Sequence, residues 1–103
     1  MRDKLPLKEA IKGAQVGAHA MADAFRAWKS TTNEGVKLES GIEYMYAQVM
    51  FRYSLEDCLY YKYKNDNLPA TVQQNFNKLI RSVYYIDKVK EKDLENLEAW
   101  VDI

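Results

Sequence analysis

Apolar residues recur every three or four positions in three long segments of this 103-residue chain. Such spacing places apolar side chains on one face of an α-helix. The segments are separated by STTNEG at 30–35 and KNDNLP at 64–69, whose Gly, Pro, Asn and Ser residues are typical of turns. The apolar spacing falters around DKVKEKD at 87–93 and resumes at Leu94, Leu97 and Val101. One long bent third helix is possible, but we favour a break near 90–93 and a short fourth helix that Asp93 caps. The predicted helices cover about 5–29, 36–64, 69–90 and 93–102.

The first segment carries two adjacent stripes. One follows the heptad alternation of four and three residues and consists of Leu7, Ile11, Ala14, Ala18, Met21, Phe25 and Trp28. The other contains only small residues: Ala10, Gly13, Gly17, Ala20, Ala24 and Ala27. Because a glycine inside a helix costs about 1 kcal/mol relative to alanine, its two glycines indicate a close approach by another helix. We interpret the approaching helix as one of the same chain, with a contact between chains as the alternative.

The second segment is apolar in almost every direction. Leu38, Ile42, Met45 and Val49 begin a seam, flanked on one side by Tyr46, Tyr53 and Tyr60 and on the other by Tyr44, Phe51, Leu55 and Cys58. A helix that is apolar all round is buried on most sides. The sequence therefore predicts an all-α antiparallel bundle of three long helices plus a short C-terminal helix, with this segment at its centre. Tyrosines that its neighbours leave uncovered favour self-association, most simply as a two-fold dimer.

The third segment continues the heptad spacing. Its seam consists of Val72, Phe76, Leu79, Val83 and Ile86. The stretch TVQQ at 71–74 matches the pattern of a capping box at the start of a helix. Both features support a third helix that begins near Pro69.

Three polar residues interrupt the second segment at four-residue intervals. Gln48, Arg52 and Glu56 therefore lie on one stripe of the helix, where Arg52 and Glu56 are close enough to pair. Three interpretations stay open: a polar pair that fixes the register of the bundle or dimer, an exposed stripe, and a ligand site in which Arg52 holds an anion.

The charge balance excludes some classes of partner. Lys plus Arg and Asp plus Glu are both 15, so the chain lacks the basic excess of a general nucleic-acid binder. Cys58 is the only cysteine, which fits a reducing compartment. No window reaches the 18 apolar residues of a membrane span. We expect a cytoplasmic protein with no membrane partner.

Candidate chemistry is sparse. His19 is the only histidine, and the chain has no Gly-rich phosphate loop and no Glu-x-x-His metal motif. We therefore expect no enzymatic activity, no metal and no cofactor. The most basic surface lies on the first helix, where it is either a solvated face or a docking surface for an acidic partner or a phosphate; it consists of Lys4, Lys8, Lys12, His19 and Arg26.

The leading hypothesis is a small protein-interaction module, an adaptor or inhibitor, as is common among phage and mobile-element accessory proteins. Aromatic residues are enriched in binding interfaces, and the predicted anchors are Tyr60, Tyr61, Tyr63, Tyr84 and Tyr85. The alternative is a binder of a nucleotide-like or anionic small ligand, with tyrosine rings stacking on the ligand and Arg52 meeting its charge. A purely structural oligomer is the third hypothesis.

Overall fold

The computed structural model describes residues 3–64 and 66–101, except for the side chain of Glu98. This part of the chain contains no strand and is helical, which confirms the predicted all-α class. Its helices are α1 (Leu7–Ser30), α2 (Glu34–Tyr63), α3 (Ala70–Ser82) and α4 (Glu91–Val101). The predicted last residue of the fourth helix, 102, lies outside the described residues.

Both predicted break signals separate helices. Asn33 caps α2, because its side-chain oxygen accepts a hydrogen bond from the backbone N–H of Val36 at 3.0 Å. At the other end of α2, Lys64 takes the left-handed conformation with φ 51°, and its N–H bonds to carbonyls of the last turn. The loop that follows leads through Pro69 into α3.

α3 is shorter than predicted, since it ends at Ser82 and not near residue 90. The next residue, Val83, leaves the helical conformation with φ −115° and ψ 10°, and its N–H bonds to the carbonyl of Ile80 three residues back, which closes the last turn. The predicted capping box is also wrong, because Pro69 occupies the N-cap position and no side chain caps the helix.

Asp93 caps α4 from within its first turn. Its carboxylate accepts a hydrogen bond at 2.9 Å from the N–H of Lys90, the residue before the helix. This is the reciprocal half of a capping box. Asp93 therefore does cap α4, but from the third helical position and not as the predicted N-cap residue, because the helix begins at Glu91, two residues earlier than expected.

α1 and α2 form an antiparallel hairpin in contact along most of their length. Gly13 lies opposite Ser54 and Gly17 opposite Phe51, while Leu5 donates its N–H to Asp57 at 3.0 Å. A Cβ on Gly17 would lie 2.8 Å from the backbone nitrogen of Phe51. The small-residue stripe therefore faces a helix of the same chain, as predicted.

The core lies between this hairpin and the shorter helices α3 and α4. Its least exposed large side chains, drawn from α1, α2, α4 and the end of α3, are Met21, Tyr44, Phe51, Leu55, Val83 and Leu97. The backbone of α1 comes close to the backbones of both α2 and α4. Arg26 of α1 also forms an ion pair with Glu91 of α4 at 3.1 Å. The expectation that α2 is the central helix, buried on most sides, is wrong.

Tyr44 joins α2 to the end of α3. Its buried hydroxyl donates to the carbonyl of Val83 at 2.6 Å, and burial, together with the charge of Asp93, raises the pKa of this hydroxyl. Replacing Tyr44 with Phe is expected to cost about 1 kcal/mol at neutral pH, since the Val83 carbonyl loses its partner.

The same substitution is expected to change the alkaline unfolding profile. Because the folded pKa of Tyr44 exceeds its unfolded value near 10, its contribution is complete below pH 10 and is lost as the pH rises further. Urea titrations between pH 8 and 11 should show a steeper loss of stability in the wild type than in Tyr44→Phe, by up to about 1.4 kcal/mol per pH unit. Parallel pH profiles would contradict this role for Tyr44.

Candidate interaction surface on helix α2

α2 exposes a continuous apolar face on the side turned away from the core. Between 38% and 74% of each side chain on it is accessible to solvent. We call this surface the outer α2 face; it consists of Leu38, Ile42, Met45, Tyr46, Val49, Met50 and Tyr53. The predicted seam residues of α2 all belong to it, so the prediction that they face the core is wrong.

The two faces of α2 lie on opposite sides of one helix. At 100° per residue, the outer α2 face occupies an arc of about 140°, centred opposite the buried Tyr44, Phe51 and Leu55. Within residues 38–53, all of them described, Glu39 is the only charged residue in that arc. Apart from Glu39 the arc is apolar, and an apolar arc wider than about 100° is typical of a helix face that packs against another element.

The outer α2 face is large for an exposed apolar patch. With roughly 200 Å² for a fully exposed large side chain, the accessible fractions of its seven members correspond to about 600–700 Å². The largest apolar patch of a typical monomeric protein is about 300–600 Å² and is often functional. Its size therefore marks the outer α2 face as a candidate interaction surface.

The five tyrosines predicted as anchors lie in two groups. Tyr60, Tyr61 and Tyr63 lie at the carboxyl end of α2, where the hydroxyl of Tyr61 donates to the carbonyl of Leu5 at 2.8 Å. Tyr84 and Tyr85 follow α3 and meet edge to face, with ring centroids 4.8 Å apart.

The two tyrosine groups are far apart along α2. Val83, next to Tyr84, is bonded to Tyr44, and the 16 residues from Tyr44 to Tyr60 span about 24 Å of helix. The structure therefore does not bring the five tyrosines into one surface. The surface that sequence reasoning missed contains Tyr46, the most exposed large apolar residue of the described chain at 74%.

The polar stripe of α2 lies between its buried and its outer face. Gln48 is fully buried, and neither its amide nitrogen nor its amide oxygen has a hydrogen-bond partner among the described residues. The guanidinium of Arg52 lies over the ring of Tyr53, 4.9 Å from its centroid, and its buried Nε also lacks such a partner. Glu56, one turn further on, is half-buried. The interpretation as an exposed stripe is therefore wrong for Gln48.

Replacing Gln48 with Met is expected to stabilise the fold by about 1–2 kcal/mol, because an unpaired buried amide costs about that much and Met has a similar volume. Urea unfolding followed by circular dichroism measures the change. Leu55→Met, a nearly isosteric change at another fully buried position of α2, is the control for a methionine in this core. A loss of stability in Gln48→Met beyond that of the control would show that the amide has a partner after all.

A groove of about 730 Å³ lies between α1 and α4. Its apolar walls include Ala18, Leu94 and Leu97, and its basic residues are Lys12, His19 and Arg26. These three belong to the predicted basic surface of the first helix, but Arg26 is already paired with Glu91. Lys12 and His19 are therefore the remaining basic side chains of this groove.

Lys4, at the amino end of the predicted basic surface, is also paired. Its ammonium lies 2.8 Å from the carboxylate of Asp66, and this hydrogen bond raises the pKa of Lys4 and lowers that of Asp66. Both side chains are solvent-exposed, so the pair contributes little to stability. The basic surface presents fewer unpaired cations than its sequence suggests.

The described residues offer little else that resembles a catalytic centre. No group of three or more His, Cys, Asp or Glu side chains among them is arranged to hold a metal ion. Cys58 is buried, and burial raises the pKa of its thiol, which lowers the fraction of reactive thiolate. No helix in the described part of the chain has the length and apolarity needed to cross a membrane.

Comparison of the chain with models of protein families, with curated proteins and with solved structures finds no match. The outer α2 face and the groove between α1 and α4 are therefore the two candidate functional sites of the described chain.

Proposed function

We propose that this protein is a non-enzymatic interaction module, an adaptor or inhibitor, that binds protein through the outer α2 face. The observation that supports the proposal is the continuous exposure of seven large apolar side chains on one side of a 30-residue helix. Covering that area removes apolar surface from water, at roughly 25 cal/mol per Å² of area buried. The proposal keeps the predicted function but places the binding surface in the middle of α2.

The composition of this face suits binding to protein. Tyr46 and Tyr53 provide large rings with a polar tip, which are frequent anchors at interfaces. Met45 and Met50 are unbranched and flexible, so they adapt to an irregular partner surface. Glu39 and Arg52 lie close to the edges of the face and supply the polar rim that interfaces usually have.

Affinity capture from the source cells tests the proposal. The bait is the wild-type chain, and the face variant is Tyr46→Glu with Val49→Glu. Tyr85→Glu is the matched control, because Tyr85 is 57% exposed but lies outside the outer α2 face. We expect the face variant to lose the captured protein and the control to retain it, with equal helical circular dichroism for both. Loss in Tyr85→Glu alone would favour the tyrosines that follow α3 instead.

A second candidate function, the binding of a small anionic ligand, is favoured by the groove between α1 and α4. Its volume falls within the range of small-molecule sites, about 300–1,000 Å³, and Lys12 and His19 can meet a carboxylate or phosphate. The groove is a better location than Arg52, whose guanidinium already lies on the ring of Tyr53.

Thermal unfolding with nucleotides and with medium-chain fatty acids tests this second candidate. A ligand that binds only the folded state raises the melting temperature further as its free concentration increases relative to Kd, and Lys12→Ala with His19→Ala should remove the shift. Lys78→Ala, an exposed lysine of α3 outside this groove, is the control and should keep it. A flat melting temperature for the wild type across these ligands contradicts the candidate.

A further inference from the structure

We propose that the occupant of the outer α2 face is the same face of a second copy of this chain, paired antiparallel about a two-fold axis near Met45 and Tyr46. This inference rests on the proposed function, since it names the first partner of the proposed surface. The axis position follows from the face itself, whose ends are Leu38 and Tyr53 and whose midpoint lies between Met45 and Tyr46.

The area of the face matches the need of a stable dimer. Each copy offers about 600–700 Å² of accessible side-chain surface, so two copies would bury about 1,200–1,400 Å², within the range of about 1,200–2,000 Å² for standard interfaces. A two-fold dimer uses the same patch on both copies. The outer α2 face alone is therefore sufficient to form the interface of a two-fold dimer.

The distribution of charge favours the antiparallel orientation. About the proposed axis, Glu39 of one copy comes level with Arg52 of the other, Glu43 with the uncharged Gln48, and Glu56 with the uncharged Gly35. A parallel pair would instead place each of these glutamates level with its own counterpart. Like charges that come within a Debye length of about 8–10 Å of each other repel, which disfavours the parallel pair.

The antiparallel register makes specific residues neighbours. Tyr46 lies beside the axis and therefore close to Tyr46 of the second copy. Leu38 comes level with Tyr53 of the second copy, whereas the two Leu38 residues are separated by about 22 Å, since 15 residues rise 1.5 Å each. A disulfide needs Cα atoms about 4.4–6.8 Å apart, so engineered cysteines distinguish these distances.

Disulfide trapping at low oxidant concentration tests the arrangement. Tyr46→Cys is expected to cross-link to itself, and Leu38→Cys is expected to cross-link in a mixture with Tyr53→Cys. Neither Leu38→Cys nor Tyr53→Cys should cross-link alone, and the wild type, whose Cys58 is buried, is the blank. Self-cross-linking of Leu38→Cys with none for the mixture means a parallel pair and overturns the proposal.

Sedimentation equilibrium tests the association without any cysteine. The wild type is expected to be dimeric at micromolar concentrations, and Tyr46→Glu with Val49→Glu is expected to weaken dimerisation at least 100-fold, while Tyr85→Glu stays dimeric. A wild type that is monomeric at 100 µM overturns the self-pairing. The capture experiment then tests the proposed function separately. If the chain is monomeric and Tyr46→Glu with Val49→Glu still abolishes capture of another protein, the outer α2 face binds that protein and the proposed function stands.

Discussion

Replacing Gly17 with valine is expected to destabilise the protein by about 3 kcal/mol, the upper part of the range for overpacking. A Cβ at this position would lie 2.8–2.9 Å from the backbone nitrogen, Cα and Cβ of Phe51. Backbone atoms of a helix cannot rotate away, so α1 and α2 would have to separate along the contact that forms most of the hairpin. Urea unfolding followed by circular dichroism at 222 nm measures the change.

Gly41→Val is the matched control for Gly17→Val. A Cβ on Gly41 meets no atom within 4 Å, so valine there gains a few tenths of a kcal/mol of helix propensity, part of the roughly 1 kcal/mol that separates glycine from alanine. The two variants differ only in whether a helix lies opposite the glycine. Equal stabilities of the two variants would contradict the close contact of α1 with Phe51.

Removing the carboxylate of Asp57 is expected to have the second-largest effect. Asp57 is 1% exposed and accepts a hydrogen bond from the N–H of Leu5 at 3.0 Å, which fixes the segment before α1 against the end of α2. Hydrogen bonds to charged groups contribute about 1.5–3 kcal/mol, so Asp57→Ala should lose roughly that amount in the same urea titration.

Two substitutions make the Asp57 result interpretable. Asp57→Asn keeps an acceptor oxygen and should lose less than Asp57→Ala. Glu43→Ala removes an exposed carboxylate of the same helix and should change stability by no more than about 0.5 kcal/mol. If Asp57→Ala behaves like Glu43→Ala, the buried carboxylate does not hold the amino-terminal segment.

The close contact of α1 with another helix could be predicted from the sequence, because the small residues of α1 lie on one side of the helix only. Small residues at positions 13 and 17 serve no purpose on a solvated helix surface, so they indicate a neighbouring backbone. The structure places Phe51 and Ser54 there. What the pattern does not contain is the identity of the neighbour, which depends on a register between helices that are distant in sequence.

The orientation of α2 could not be predicted in the same way. Its seam of Leu38, Ile42, Met45 and Val49 has the spacing of a core face, but Tyr44, Phe51 and Leu55 have it too. When a helix has two apolar faces, the spacing of its apolar residues does not show which face is buried in the core. The choice comes from tertiary packing, because the side that meets Gly13 and Gly17 is the side that α1 covers.

The length of α3 could not be read from its seam. Val83 continues the apolar spacing and is fully buried, yet the helix ends one residue before it. Apolar spacing reports burial, and a buried residue need not be helical. Helix propensity does not mark the end either, because the run Val83–Ile86 is no weaker in helix formers than α3 itself.

The sequence indicates a tyrosine-rich interaction surface but does not fix its position on the fold. An excess of tyrosine indicated an interaction surface, and Tyr46 and Tyr53 are part of the exposed face. The tyrosines chosen as anchors are adjacent in sequence but lie in two groups in the fold. Composition does not specify which tyrosine side chains are buried in the core. The exposed surface can therefore be located only when the buried side of α2 is known.

In the proposed dimer, α2 packs against its own chain on one side and against a second copy on the other. Methionine oxidation by dilute hydrogen peroxide, followed by mass spectrometry across protein concentrations, tests it within one chain. Met45 and Met50 lie on the outer α2 face, and the fully buried Met21 is the internal standard.

We expect Met21 to oxidise slowly at every protein concentration, whereas Met45 and Met50 oxidise rapidly in dilute solution and are protected as the concentration rises. Equal, fast oxidation of Met45 and Met50 from nanomolar to 100 µM protein would contradict the pairing of the outer α2 face.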